Sequence, residues 1–143
     1  MDPRQVDLIR DSFVRVLLAP ERAASLFYDR LFELAPDTRP LFRRDMADQG
    51  IRLVDALARI VTALTRFEEV RPELCRLAAR HVGYGVQDYH YAVAGKALLH
   101  MVSELSDGAL DPATRNAWLM AYAVVSDAMI DASREARALS SAA

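Results

Sequence analysis

His81, His90, His100 and Cys75 are the only histidine and cysteine side chains in the chain. One cysteine excludes an internal disulfide framework and any multi-cysteine zinc or iron–sulfur centre. His81 follows Leu77 by four residues and Leu74 by seven. The helical period therefore sets it on the apolar side of its element, and Gly83 and Gly85 end that element almost at once. A lone imidazole cannot hold zinc, which takes four nitrogen, sulfur or oxygen ligands. It can hold a metal that arrives with its own equatorial ligands. The plainer alternative is a histidine satisfied within the core. His90 sits near the polar start of the next stretch and His100 in its middle, without the same setting. Cys75 lies off the Leu74–Leu77–His81 stripe, beside Arg71 and Ala79, and is a poor candidate for redox work.

The elements that must position these groups read as helices. Pro3, Pro20, Pro36, Pro40, Pro72 and Pro112 sit near the starts of apolar-periodic stretches, where proline opens a helix. Gly83, Gly85 and Gly108 follow such stretches, as left-handed caps do. No segment alternates apolar and polar residues for long, and no Asn-Gly or Asp-Gly hairpin turn joins two strand-like runs. The spacing predicts an all-α chain with helices over Pro3–Leu18, Pro20–Leu34, Met46–Phe67, Arg71–His81, Val86–Leu105 and Pro112–Leu139. A short helical turn is expected over Pro36–Phe42, and the tail Ala138–Ala143 is expected to fray.

With 143 residues, 52% of them hydrophobic and 27% charged, the chain can bury a sizeable core and is not a disordered one. A single domain over 1–143 is expected. A formal charge of −2 removes the electrostatic footprint of a nucleic-acid binder. No apolar run approaches the roughly 18 residues of a membrane span. The opening Met1-Asp2-Pro3-Arg4-Gln5 lacks the apolar centre of a signal peptide. A soluble cytoplasmic protein is the expectation.

Several runs stand in a consistent order. They are Leu26-Phe27-Tyr28-Asp29-Arg30-Leu31-Phe32, then Phe42 after Pro40-Leu41, then Arg80-His81-Val82-Gly83-Tyr84-Gly85-Val86. Gln49 falls 32 residues before His81, and Ala117-Trp118 stands near the start of the last helix. Over roughly Val6 to Glu135 this set resembles a bacterial single-domain globin similar to the haem domain of flavohaemoglobins.

The resemblance implies a globin fold around haem b, iron protoporphyrin IX, with His81 as proximal iron ligand. No Cys-x-x-Cys-His is present, so attachment is expected to be non-covalent. Phe42 matches the phenylalanine that packs flat on the porphyrin. Tyr28, Gln49 and Leu53 match distal positions: the first two offer hydrogen-bond donors to a bound gas, and Leu53 is a wall. Gln49 replaces the histidine of many animal globins, and glutamine is a poor iron ligand, so a five-coordinate ferrous iron is expected. On the proximal side the resemblance implies a network in which Tyr91 and Glu135 give the imidazole more imidazolate character. A solvated charge within Arg134-Glu135-Ala136-Arg137 is the alternative for Glu135. Arg52 and Arg80 are expected at the haem propionates, and Val86 at the haem edge.

Four functions follow from this. The first is reversible binding of dioxygen, nitric oxide or carbon monoxide. The second is nitric oxide dioxygenation or peroxidase-like chemistry, with electrons from a separate reductase. Flavohaemoglobins carry that reductase after the globin, whereas this sequence ends at Ala143. The third is gas sensing, and the fourth a haem-free helical interaction domain. Oligomeric state is left open.

Overall fold

Asp2 and Gln5 cap one another, side chain to backbone in both directions, and Pro3 opens the helix that follows. This is α1, Pro3–Leu18, the first of six α-helices in the computed structural model. The structure describes the backbone of residues 1–142 and the side chains of 1–141. The others are α2 (Pro20–Leu34), α3 (Met46–Thr62), α4 (Phe67–Tyr84), α5 (Asp88–Leu105) and α6 (Pro112–Ala142). Two 3-10 helices, Pro36–Leu41 and Leu64–Arg66, make the connections on either side of α3. No strand occurs among the described residues. No helix among them is long and apolar enough to cross a membrane.

Three elements depart from the sequence-based expectation. First, α3 stops at Thr62, not at Phe67. The Arg10 guanidinium donates to the carbonyls of Val61, at 3.4 Å, and Thr62, at 2.9 Å, and so takes over acceptors that a continuing helix would use. Second, α4 begins at Phe67, leaving Pro72 inside the helix and not at its start. The ring removes the bond to the Glu68 carbonyl and crowds that carbonyl, yet the helix continues through it to Tyr84. Gly83 is also internal, and Gly85 alone, at φ +95°, carries the left-handed cap. Third, α6 runs to Ala142, through the segment expected to fray.

Packing sorts the apolar side chains into two clusters. The larger gathers residues from α1, α2, α3, α5 and α6, among them Ile9, Phe13, Tyr28, Val54, Met101 and Trp118. The smaller lies between α4 and α6 and holds Val70, Leu74, Ala78, Tyr91, Val125, Met129 and Ala132. Helix α4 packs on α6, α2 on α5, and α3 on α2 and α1. Near the 64–66 turn Arg59 on α3 and Glu73 on α4 form a 2.8 Å ion pair. Away from that end α3 and α4 hardly touch, so the two helices form the arms of a V.

One glycine sets the crossing of α2 and α3. A Cβ on Gly50 would lie 2.8 Å from the Cβ of Ala24, closer than two carbons pack. Gly50→Ala should therefore push α3 off α2, at about 1–3 kcal/mol of overpacking. Better helix propensity returns only about 0.5–1 kcal/mol. The expected result is a lowered urea midpoint. An unchanged midpoint would mean that α3 slides away freely and that the close crossing is not needed.

Candidate functional site

His81 occupies the last turn of α4, and the helix end is built around it. The N–H of Val86 returns to the His81 carbonyl and that of Gly85 to Val82, both at 3.0 Å. This double return needs the left-handed residue that Gly85 supplies. On the ring, Nδ1 lies 2.8 Å from the Leu77 carbonyl. A carbonyl only accepts, so Nδ1 carries the proton and Nε2 keeps its lone pair. Nε2 has no hydrogen-bond partner among the described residues. Burial pushes the His81 pKa below its ordinary value, with the neighbouring Arg80 charge acting the same way and the Leu77 bond opposing. The imidazole is thus neutral, oriented, and open at one nitrogen, which is the form that binds a metal.

An aromatic group stands on α2 and in the segment ahead of α3. The Tyr28 ring meets Phe42 edge-on at 5.2 Å between centroids, and Phe32 meets Phe42 at 5.5 Å. Tyr28 is 6% exposed. Its hydroxyl donates to the Gln49 backbone carbonyl at a long 3.4 Å. Burial pushes its pKa up to about 12, with a hydrogen bond to Gln49 pulling the other way. The hydroxyl therefore stays protonated and able to donate. The Gln49 side chain is half-buried and close enough to Tyr28 to pull against the rise in its pKa. Leu53 and Phe42 are half-buried against the larger cluster, and Val86 and Leu77 against the smaller. Arg52 and Arg80 are exposed, and neither pairs with an acid among the described residues.

The structure does not bring Tyr91 and Glu135 together. Glu135 is exposed, and the Tyr91 hydroxyl instead meets the Ser133 hydroxyl at 3.2 Å. The reason is helical phase: two residues along a helix is a turn of about 200°. Ser133 shares the inward face of α6 with Val125, Met129 and Ala132, so Glu135 points outward. Sequence reasoning missed Ser133, although it falls on the buried stripe of α6 four residues after Met129.

A second group was also missed. Asp37, in the 3-10 helix ahead of Phe42, takes a hydrogen bond from the Tyr89 hydroxyl and lies 3.0 Å from Nε2 of the buried His90. His90 Nδ1 accepts the Gln87 N–H at 2.9 Å, so a neutral ring protonated on Nε2 satisfies both contacts. The bond from Tyr89, and after it the one from His90, holds the Asp37 carboxyl below the usual range. The cluster fastens the segment before Phe42 to the start of α5, just beyond Val86.

No group of three or more histidine, cysteine or acidic side chains that could cage a metal ion occurs among the described residues. Two helices held apart, half-buried apolar side chains on both, and one neutral imidazole open at Nε2 instead fit a flat apolar group bound through a single axial ligand.

The Globin family model matches residues 25–129, and the chain belongs to the globin family. Curated relatives include a flavohemoprotein of Bacillus subtilis, 24% identical over 133 residues, or 91% of this chain and 33% of that protein. Another is a flavohemoprotein of Chromobacterium violaceum, 34% identical over 110 residues, or 74% of this chain and 27% of that protein. The chain thus spans about a third of the length of the curated relatives it matches. Among solved structures, a bacterial globin from Campylobacter jejuni superposes with a TM-score of 0.81 at 26% identity, covering 94% of this chain and 97% of that one. Ferric myoglobin of Aplysia limacina shares the fold at a TM-score of 0.79 and 20% identity, covering 93% and 98%. The all-α globin fold expected from the sequence is the fold found. Membership of this family implies haem.

Proposed function

We propose that this chain holds haem b non-covalently on His81 and reversibly binds diatomic gases. The observation that carries the reading is the neutral His81 imidazole, protonated on Nδ1 by the Leu77 contact and open at Nε2. Kinship with flavohemoproteins and with a bacterial globin supports it. When bound, haem would supply an iron able to take up dioxygen, nitric oxide or carbon monoxide.

The side chains of this chain do the rest. Phe42, Leu53 and Val86 exclude water from the slot between the arms of the V. Tyr28 and Gln49 provide an O–H and an amide N–H for a gas that gains negative character on binding. The Tyr28 donor is engaged only by the 3.4 Å contact to the Gln49 carbonyl, so little is lost when it turns to a better acceptor. Arg52 and Arg80, exposed and without acid partners among the described residues, suit the haem propionates.

The test is reconstitution with haemin, followed by stopped-flow oxygen association and dissociation on the reduced protein. A Soret band, a five-coordinate ferrous spectrum without added ligand and reversible oxygen uptake are expected. No Soret band would sink the haem reading. A six-coordinate low-spin ferrous spectrum would sink the open site. Sustained nitric oxide consumption with a reductase would replace reversible binding by dioxygenation.

A further inference from the structure

Ser133 is 1% exposed, the one polar side chain among the most enclosed of the described residues. Its hydroxyl lies 3.2 Å from that of Tyr91. The Tyr91 ring in turn lies nearly parallel to His81, at 22° and 6.4 Å between centroids. The Tyr91 backbone is held too, its carbonyl accepting the Tyr122 hydroxyl. The tyrosine is thus fixed at both ends, with its hydroxyl committed to α6.

The charges around this side leave the imidazole without an anionic partner. Glu135 is exposed. Asp88, on the same helix as Tyr91, is engaged by Arg134 at 3.2 Å and Arg137 at 2.9 Å, so its charge is spent on two guanidinium groups. Among the described residues the acceptor at His81 Nδ1 is the neutral Leu77 carbonyl, at 2.8 Å.

We infer that Ser133 is a positioning residue that holds the Tyr91 hydroxyl on α6 and thereby keeps the proximal face of His81 free of any ionised or ionisable acceptor. The inference rests on the haem reading and deepens it. An acceptor that bears charge draws the Nδ1 proton away and gives the ring imidazolate character, strengthening its donation to iron. That push favours breaking an O–O bond, and its absence favours holding a gas and letting it go. With the neutral Leu77 carbonyl as acceptor, the proximal side of this chain is set for retention and release.

The experiment is resonance Raman spectroscopy of the ferrous, ligand-free holoprotein, read at the iron–histidine stretch, on the full chain and four variants. Glu135→Gln should leave the frequency at the parent value. Ser133→Ala should move it, because the freed Tyr91 hydroxyl turns toward the imidazole. Ser133→Thr, which keeps a hydroxyl, should restore it. Adding Tyr91→Phe to Ser133→Ala should return the frequency to the parent value, which a merely structural role for Ser133 would not do. A lowered frequency in Glu135→Gln would make that glutamate the acceptor and overturn the inference. A parent-like frequency in Ser133→Ala, or a shift that survives Tyr91→Phe, would overturn it equally. A parent protein that takes up no haem fails the earlier reading instead, and shows this by its missing Soret band before any variant is measured.

Discussion

Replacing His81 by alanine is expected to abolish stoichiometric haem retention, with the fall in affinity exceeding the 10- to 100-fold typical of losing an outer partner of a metal ligand. No other histidine is placed to substitute. His90 uses both ring nitrogens, one on the Gln87 N–H and one on Asp37. His100 is half-buried in the middle of α5. The variant should still fold, because His81 is itself only half-buried and its helix end is closed by backbone bonds from Gly85 and Val86. Haemin titration followed at the Soret band gives the affinity, far-ultraviolet circular dichroism shows that the helices persist, and added imidazole should restore part of the band. An alanine variant that kept porphyrin and bound carbon monoxide as the parent does would remove His81 from the iron.

How much of this was legible in the sequence depended on how local each cause was. The bounds of α1 and α2 are written within a few residues: Asp2, Pro3 and Gln5 at one start, Pro20 at the other. The end of α3 is not, because it is set by Arg10, whose contacts reach 51 and 52 residues along the chain. The apolar period runs on through Leu64 and Phe67, so counting along the chain overran the break. Pro72 departs in the same way: a proline favours helix starts, yet α4 carries it inside despite the lost bond and the crowded Glu68 carbonyl.

The site divides along the same line. His81 stood out because Leu74, Leu77 and Gly85 are its near neighbours in sequence. Tyr28, Phe42 and Gln49 required the resemblance to supply a register, and the structure adds that the Tyr28 hydroxyl touches the Gln49 carbonyl. Glu135 comes from the resemblance alone, and an offset of two residues along α6 decides whether a side chain faces Tyr91 or solvent. Asp37 and His90 lie 53 residues apart and could be joined only by the fold.

Tyr28→Phe is expected to speed oxygen dissociation roughly 5- to 150-fold. A hydrogen bond to a charged acceptor in a water-poor site contributes about 1–3 kcal/mol. Each 1.4 kcal/mol is a factor of ten. The starting state takes little from that range, because the bond given up to the Gln49 carbonyl is 3.4 Å long. Nor does the side chain's shape change: the ring still meets Phe27 at 5.1 Å and Phe42 at 5.2 Å, so phenylalanine fills the same space. The protonation state is secure as well, since burial raises the pKa to about 12 and the donor stays in place across the range in which proteins are handled. The carbon monoxide dissociation rate should change less, because that ligand takes on less negative character and gains less from a donor. Flash photolysis and stopped-flow mixing of both gases give the ratio. An oxygen rate equal to the parent's would remove Tyr28 from the gas. Equal acceleration of both gases would point to a widened exit between Phe42 and Leu53, with the phenol acting only as a plug.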